Sequence, residues 1–357
     1  MTRDSLVLAC ALGLAATVAA QRGPASYPAP VEGNFTLKNF HFGSGETMDV
    51  RMHYRTVGTL AKNAQGVATN AVLVMHGTGG TGTQFLSGSF AGELFGPGQP
   101  LDATKFFMIL VDDVGHGGSS KPSDGMHAKF PAYRYSDMVE AEYRLLTEGL
   151  GVNHARLVMG TSMGGMHTWI WGEKYPRFMD ALMPLASVPG PMSGRNRAWR
   201  RVIIDAIRFD PEWKNGEYTT QPQSLRVAAQ MLYLVGSNPT LRQKSAPTLA
   251  AADKALDQSV ASYIRTGDAN DTLHWFEASA DYDPSPDLEK IVAPLYAVNS
   301  ADDIINPPEL GILEAGIKRV AKGKSVVIPE SDKTAGHGTH TLAAVWKQYL
   351  VELLAMK

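Results

Sequence analysis

Short runs of hydrophobic residues alternate with longer amphipathic stretches along most of this chain. The short runs are rich in Val, Ile, Leu and Met, and few polar residues interrupt them. Parallel strands that helices cover on both sides have this composition, because both faces of the sheet are buried. The segments predicted as strands are VRMHYRTVGTL, AVLVMHG, FFMILVDD, RLVMG, ALMPLAS, LYAVNS and SVVIPE.

The longer stretches between these runs have the pattern of helices. The segments predicted as helices are YSDMVEAEYRLLTEGL, MGGMHTWIWGEKYP, PPELGILEAGIKRVA and HTLAAVWKQYLVELL. Strands that alternate with helices in this way favour a mostly parallel sheet. The sequence therefore predicts an α/β fold in which a mostly parallel sheet is flanked by helices.

One region, residues 188–287, interrupts the alternation. It contains no segment with a strand pattern, and its helical pieces are rich in Arg, Gln and Ala and are separated by Pro and Gly. We predict that this region is a helical cap inserted into an α/β core, which then consists of residues 34–187 and 288–357. A chain of 357 residues is long enough for one large domain with such an insertion.

The first 20 residues have the pattern of a secretory signal peptide. Arg3 precedes an apolar run over residues 6–20, whose last small residues suit cleavage near Ala20. The run is shorter than the roughly 20 apolar residues that a membrane span needs, so no stable span is expected after cleavage. We predict a secreted or periplasmic protein with a Pro-rich spacer over residues 21–33; an apolar tail on a cytosolic protein is the alternative.

Composition narrows the choice of partners. The formal net charge is −2 and the pI is about 6.6, so we expect no nucleic-acid partner. The only cysteine, Cys10, lies in the predicted signal peptide. A mature chain would therefore have no disulfide and no cysteine metal site.

The segment LVMGTSMGGMHTW places Ser162 between Gly160 and Gly164, in a G-x-S-x-G pattern. Chance matches are common in a chain with 35 glycines, but here a predicted strand ends before the serine and a predicted helix begins after it. Such a turn exposes the serine hydroxyl and is the setting that a nucleophile of this type requires. We predict that Ser162 is a nucleophile; a structural serine in a Gly-rich turn is the alternative.

A serine nucleophile needs a base and an acid that orients the base. Enzymes with this turn carry them in the order Ser, Asp or Glu, His. Downstream, VNSADDIINPP offers Asp302 and Asp303, and TAGHGTH offers His337 and His340. We favour Asp303, four residues before Pro307, and His337, which lies in a Gly-His-Gly turn. Asp302 is interpreted as a solvated loop charge and His340 as a residue at a helix N-terminus.

The oxyanion of a tetrahedral intermediate needs two backbone donors. One is expected from Met163, the residue after the nucleophile, and the other from Thr78 in the HGTGG segment that follows a predicted strand. The DDVGHGGSS segment, with His116, is interpreted as a structural loop. Neither segment has metal-ligand spacing or a phosphate- or dinucleotide-binding fingerprint, so no metal and no cofactor are predicted.

These segments resemble the α/β-hydrolase superfamily and, within it, the homoserine O-acetyltransferase family, from about residue 51 to the C-terminus. The similar segments include YRTVGTL, NAVLVMHG, FGPGQPLDATKFF, GTSMGGMHTW and, in the cap, RFDPEWKNGEY. The resemblance implies the α/β-hydrolase fold, a triad of Ser162, Asp303 and His337, and a cap that forms the acyl-acceptor tunnel. It also implies a homodimer whose subunits pair through their caps.

The cap departs from the family pattern at two positions. The acetyltransferases carry Asn-x-x-x-Arg-x-Ala-Ile before the DP-W segment, whereas this chain has RRVIIDAI, with Arg200 at the Asn position and Ile204 at the Arg position. An aliphatic residue cannot hold a substrate carboxylate. Outside the cap, the segment DDVGHGGSSKPS replaces the glycine- and cysteine-rich loop of the family. In addition, an exported protein would meet little acetyl-CoA, the donor that the acetyltransferases use.

We therefore expect a serine ester hydrolase that acts on a small-molecule ester or acyl substrate through an acyl-serine. An O-acyltransferase that uses acetyl-CoA and a hydroxy amino acid is the alternative. A non-catalytic binding protein on the same fold is the second alternative.

Overall fold

The computed structural model describes residues 27–356; the predicted signal peptide and Cys10 lie outside this range. Eight strands within it form a single sheet. The strands are β1 (Val31–His41), β2 (Thr47–Val57), β3 (Ala71–Met75), β4 (Phe107–Asp112), β5 (Leu157–Thr161), β6 (Leu182–Leu185), β7 (Leu295–Ser300) and β8 (Gly323–Ile328). Their order across the sheet is β1-β2-β4-β3-β5-β6-β7-β8.

The sheet is parallel except at one edge. β1 pairs antiparallel with β2, and β2 pairs antiparallel with β4, while the remaining neighbours are parallel. The hydrophobic pattern does not predict β1, because most of its side chains are exposed and it lacks an apolar run. β1 begins at Val31, so residues 31–33 of the predicted spacer belong to a strand.

Helices cover both faces of the sheet. The helices of the described residues are α1 (Ala91–Leu94), α2 (Tyr135–Arg144), α3 (Met163–Lys174), α4 (Gly194–Arg208), α5 (Leu225–Val235), α6 (Pro239–Ser245), α7 (Leu249–Thr266), α8 (Ala269–Glu277), α9 (Ile312–Ile317) and α10 (Ala343–Ala355), of which α4 to α8 form a separate layer. Leu73 packs into the apolar cluster beneath α2 and α3, and its neighbour Val72 packs into the cluster beneath α1 and α10. The predicted α/β fold, a mostly parallel sheet flanked by helices, is confirmed.

Helices α4 to α8 lie between β6 and β7, within residues 188–287. They pack around an apolar cluster of their own, which comprises Trp199, Ile203, Ile204, Ile207, Leu225, Ala228, Val235, Ala269, Leu273 and Phe276. Trp275 of α8 joins this layer to the core: its ring stacks on His116 with centroids 5.0 Å apart, and its Nε1 donates to the Gly115 carbonyl at 2.6 Å. The DDVGHGGSS loop therefore holds the helical layer against the sheet.

Across residues 27–356, none of the helices combines the length and the apolar character that crossing a membrane requires.

Candidate active site

Ser162 lies in the sharp turn between β5 and α3. Its backbone has φ 55° and ψ −111°, a conformation that costs a non-glycine residue about 1–3 kcal/mol. The glycines around it permit close packing: a Cβ on Gly160 would lie 2.2 Å from the Gly164 carbonyl oxygen, and a Cβ on Gly164 would lie 2.1 Å from the carbonyl oxygen of Met75. The strand, the turn and the helix therefore pack closely against each other. The serine lies in the turn at the end of the sheet.

A continuous hydrogen-bonded relay connects this serine to a histidine and an aspartate. His337 Nε2 lies 2.8 Å from Ser162 Oγ, and His337 Nδ1 lies 2.8 Å from Asp303 Oδ2. Because the carboxylate accepts a hydrogen bond from Nδ1–H, the proton stays on Nδ1 and the lone pair of Nε2 faces the serine hydroxyl. The two downstream residues favoured from the sequence are therefore the two that the fold brings to Ser162.

Asp303 is almost completely buried, with 1% of its surface exposed. Burial alone would raise the pKa of its carboxyl, but the charge and hydrogen bond of His337, together with further hydrogen bonds, outweigh that effect. The backbone N–H of Ile305 and the side chain of Asn306 donate further hydrogen bonds, at 2.8 Å and 3.2 Å. The pKa of Asp303 is lowered as a result, and the carboxylate stays ionised beside the imidazole.

Asp302 has a structural position and does not reach the relay. Its carboxylate accepts hydrogen bonds from Asn238 of the cap (2.5 Å), from Thr334 (2.9 Å) and from the backbone of Gly336 (2.9 Å). Only 7% of Asp302 is exposed, so its interpretation as a solvated loop charge is wrong. Asp302 instead ties the cap and the loop before His337 to the end of β7.

His340 lies beside the relay, with its ring centroid 5.2 Å from that of His337. It belongs to a short turn, Gly338–Thr341, that precedes α10. Burial lowers the pKa of His340 to about 3, and the neighbouring His337 acts in the same direction. The ring is therefore neutral, and it lines the site next to His337.

The HGTGG loop lies against the nucleophile turn. The backbone N–H of Gly164 donates to the carbonyl of His76 at 2.9 Å, and a Cβ on Gly77 would lie 3.3 Å from Ser162 Cβ. Met163 is the first residue of α3, so its N–H has no acceptor within the helix. Thr78 lines the same cavity as Ser162. Both predicted oxyanion donors thus belong to segments that border the serine.

A cavity of about 180 Å³ opens onto Ser162 and His337. The core contributes the HGTGG loop, Gln84 and His340 to its wall. The helical layer contributes a largely apolar wall made of Trp199, Arg200, Leu232, Val235, Gly236 and Phe276, and Ile305 completes it.

Arg200, which the sequence places at the family's Asn position, is the basic residue that the helical layer contributes to this wall. It is 2% exposed, its Nε donates to Asn196 at 3.0 Å, and its guanidinium lies 4.8 Å from the centre of the Trp199 ring. Ile204, one turn further along α4, packs inside the apolar cluster of the helical layer. Replacement of the family's arginine by Ile204 therefore does not leave the cavity without a cation, because Arg200 supplies one.

Asn270 of α8 forms hydrogen bonds with the cap segment RFDPEWKNGEY. Its side chain donates to the Gly216 carbonyl at 2.9 Å and accepts from Trp213 Nε1 at 2.8 Å, and its backbone N–H donates to the Tyr218 hydroxyl at 3.1 Å. The segment therefore fastens the loop between α4 and α5 onto α8.

Asp113, Glu142 and His167 form a buried cluster between the end of β4, α2 and α3. Their ligand atoms lie within 4.8 Å of one another, although they are far apart in the sequence. His167 Nδ1 is 2.8 Å from Glu142, whose second oxygen accepts from Trp171 Nε1 at 2.6 Å. Burial raises the pKa of Glu142 to about 7 and that of Asp113 well above its usual value. Both carboxylate oxygens of Asp113 and the Nε2 atom of His167 have no hydrogen-bond partner in the described part of the chain.

Comparisons with known proteins agree with this geometry. A sequence model of the family described as alpha/beta hydrolase fold matches residues 70–337. The chain is 30% identical to a probable acyltransferase from Methanothermobacter thermautotrophicus, over 88% of this chain and 92% of that one. It is 36% identical to a homoserine O-acetyltransferase from Chlorobaculum tepidum, where the match spans only about half of each protein (53%).

Two solved structures have a similar fold. The crystal structure of homoserine O-acetyltransferase from Bacillus anthracis superposes with a TM-score of 0.81 at 22% identity, covering 92% of this chain and 99% of that one. The crystal structure of esterase E22 superposes with a TM-score of 0.80 at 19% identity, covering 91% and 100%. Transferases and esterases thus share this architecture.

Proposed function

Since this chain is an enzyme of the alpha/beta hydrolase fold family, we propose that Ser162 carries an acyl group and passes it to the hydroxyl of a small acceptor molecule. The observation that carries the proposal is the unbroken Asp303–His337–Ser162 relay, with both links at 2.8 Å. An isolated serine hydroxyl is a weak nucleophile, and a base at this distance is what activates it.

In the first half of the reaction, Ser162 Oγ attacks the carbonyl carbon of the donor while its proton moves to His337 Nε2. Asp303 holds the imidazolium in place. The backbone N–H groups of Met163 and Thr78 stabilise the oxyanion. Collapse of the intermediate breaks the bond to the leaving group, which takes the proton from His337, and the acyl group remains on the serine.

In the second half, the acceptor hydroxyl gives its proton to His337 Nε2 and attacks the acyl-serine carbonyl. A second tetrahedral intermediate forms on the same two N–H groups. When it collapses, Ser162 Oγ leaves and regains a proton from His337. The acceptor departs as an ester, and the enzyme returns to its starting state.

Two findings favour a hydroxyl acceptor over water. The Methanothermobacter thermautotrophicus relative, which is matched over 88% of this chain, is a probable acyltransferase, and the Chlorobaculum tepidum relative is a homoserine O-acetyltransferase. The wall above the serine is also largely apolar, with Leu232, Val235 and Phe276 in it. A wall of this kind limits the access of water to a reactive ester.

Ester hydrolysis, with water as the acceptor, is the second candidate. It is favoured by Ile204, because the acetyltransferases carry an arginine at that position, and by the expected export of the chain away from acetyl-CoA. In this case His337 would activate a water molecule to release the acid from Ser162.

One partition experiment separates the two candidates. The purified protein receives p-nitrophenyl acetate or acetyl-CoA, with and without millimolar homoserine, and acetyl-homoserine and free acetate are quantified by NMR. Transfer predicts that acetyl-homoserine exceeds acetate when the acceptor is present. Acetate release that the acceptor leaves unchanged would reject transfer to homoserine and favour hydrolysis. Ser162→Ala is the control and should form neither product.

A further inference from the structure

A stack of three aromatic rings connects the helical layer to the HGTGG loop. The Trp275 ring of α8 lies nearly parallel to that of His116, with an interplanar angle of 15° and centroids 5.0 Å apart. The His116 ring in turn lies 4.9 Å from that of His76, the first residue of the HGTGG loop. Both histidines are fully buried, and burial lowers the pKa of the His116 imidazole well below its usual value, so this ring is neutral. The stack therefore runs from a cap helix to the loop that carries Thr78.

The inner end of the stack holds one peptide group in a fixed orientation. The backbone N–H of Asp113 donates to His76 Nε2 at 3.1 Å, so Nε2 carries a lone pair and the proton of the ring is on Nδ1. Nδ1–H then donates to the carbonyl oxygen of Gly77 at 2.8 Å. The backbone N–H of Gly80 donates to the same oxygen at 2.9 Å. Both acceptor positions of the Gly77 carbonyl are therefore occupied.

The orientation of this carbonyl determines where the N–H of Thr78 points. The Gly77–Thr78 peptide is trans, and in a planar trans peptide the C=O and N–H bonds point in opposite directions. A carbonyl that His76 and Gly80 hold on one side therefore directs the next N–H to the other side. Gly77 lies against the nucleophile, because a Cβ on it would lie 3.8 Å from Ser162 Oγ. The peptide that is fixed in this way lies beside the serine.

The outer end of the stack also contacts the loop. A Cβ on Gly79 would lie 3.2 Å from Cζ3 of the Trp275 ring, so the glycine permits this close approach. The indole Nε1 donates to the Gly115 carbonyl at 2.6 Å, which holds the ring over His116. The next residue of α8, Phe276, lines the substrate cavity. One helix of the helical layer therefore borders both the cavity and the HGTGG loop.

We propose that Trp275, His116 and His76 position the Thr78 N–H as an oxyanion donor, so that the helical layer must be seated on the core for the oxyanion site to be complete. This inference rests on the proposed function, in which that N–H stabilises the tetrahedral intermediate. The three rings are absent from the described residues that line the cavity around Ser162, so they are positioning residues. Such positioning matters because an oxyanion donor is effective when it is in place before the charge develops.

The test compares the effect of Trp275→Phe on catalysis with its effect on substrate binding. Removal of one oxyanion donor lowers kcat by about 100- to 1,000-fold, so a donor that is only displaced should lower it by about 10-fold. The KM for p-nitrophenyl acetate should stay near the wild-type value, because acylation and deacylation use the same donor and slow down together. The Ki of 1,1,1-trifluoro-2-butanone, which forms a tetrahedral oxyanion adduct with the serine, should rise by about the factor by which kcat falls.

Trp213→Phe is the matched control. Trp213 also belongs to the helical layer, and its Nε1 donates to Asn270 at 2.8 Å, so this variant loses an indole hydrogen bond of the same kind. Because that bond connects two residues of the helical layer, its loss should leave kcat and the Ki of the ketone near their wild-type values. Thermal melting of both variants shows whether each is folded.

Two variants of His76 test the inner end of the stack, and they keep the test decisive if Trp275→Phe does not fold. In His76→Leu the Gly77 carbonyl loses one donor, and kcat should fall by about 100-fold. In His76→Asn the amide N–H can take the place of Nδ1–H, so about 10-fold of that loss should be recovered. A residue that only fills space would not show this recovery.

The outcomes separate the positioning role from the proposed function. If kcat and Ki of Trp275→Phe stay at the control values, or if kcat falls while Ki does not rise, the positioning role is wrong. A loss in His76→Leu that His76→Asn does not reduce also rejects it. If the wild type forms no acyl-serine from p-nitrophenyl acetate and does not bind the ketone, the proposed function fails, and the positioning role fails with it.

Discussion

At the scale of single residues, two adjacent aspartates divide the work at the end of β7. Asp303 orients His337 within the relay, and Asp302 holds the loop that carries this histidine. Both are buried, and both have a lowered pKa because hydrogen bonds and charges outweigh burial. Their functions differ only through the partners that each carboxylate reaches.

Neutralising each aspartate in turn tests this division. We expect Asp303→Asn to lower kcat by about 1,000- to 10,000-fold, because an amide cannot keep the Nδ1 proton on the face that the relay requires. Asp302→Asn should mainly lower the melting temperature and reduce kcat far less. Steady-state kinetics with p-nitrophenyl acetate, together with thermal melting of both variants, gives the comparison. If kcat falls more in Asp302→Asn than in Asp303→Asn, Asp302 and not Asp303 is the residue that orients His337.

The positions of the relay residues could be predicted because each follows an apolar strand that is visible in the sequence. In a parallel sheet the carboxyl ends of the strands meet at one edge, so the residues after β5, β7 and β8 come together there. Arg200 could not be predicted in this way, because its contact with the cavity depends on how α4 is oriented above the sheet. Helical spacing alone does not determine that orientation.

At the scale of elements, the hydrophobic pattern predicts buried strands well and exposed ones poorly. β3 and β4 have every side chain buried, so their apolar runs are continuous. β1 lies at the edge of the sheet with most side chains exposed, and its sequence gives no such run. The helix predicted over PPELGILEAGIKRVA is shorter than expected, since α9 begins only after Gly311 adopts φ 65°.

The cluster between β4, α2 and α3 should make stability depend on pH. Burial raises the pKa of Glu142 from 4.5 to about 7. The folded chain therefore keeps this proton while the unfolded chain releases it, and the free energy of unfolding falls as the pH rises from about 4.5 through about 7. We expect Glu142→Gln to lose less thermal stability than the wild type between pH 5 and pH 8, measured by calorimetry.

The matched control for this measurement is Glu148→Gln. Glu148 follows α2, is 46% exposed at its side chain and pairs with Arg144, and its hydrogen bond to that arginine lowers its pKa. Its replacement should not flatten the pH dependence over this range. If the melting temperatures of the wild type and of Glu142→Gln change equally with pH, the proton on Glu142 does not contribute to the pH dependence of stability.

At the scale of the whole molecule, the acyl donor that the protein can use depends on the cellular compartment in which it is located. Export remains a prediction from residues 1–20, which lie outside the described range. Expression of the full chain in a bacterium with a periplasm should yield a periplasmic product that has lost about 20 residues, because signal peptidase cleaves after small residues. Intact mass spectrometry of each cell fraction measures this, and a full-length cytosolic product would contradict it.

The cellular compartment also determines which acyl donors the protein meets. A cytosolic protein has access to acetyl-CoA, whereas an exported one must take its acyl group from an ester outside the cytoplasm. The cap residues that line the cavity do not distinguish acetyl-CoA from an external ester as the donor. The cavity opens onto Ser162 whichever of the two donors delivers the acyl group.

The central claim is that Ser162 carries the acyl group, and active-site labelling tests it most directly. The wild-type protein is incubated with a fluorophosphonate, digested, and examined by peptide mass spectrometry beside Ser162→Ala. The structure predicts one added group, located on Ser162 in the peptide LVMGTSMGGMHTW, and no label on the variant. A wild-type protein that takes no label, or a variant that is labelled equally well, would contradict the assignment.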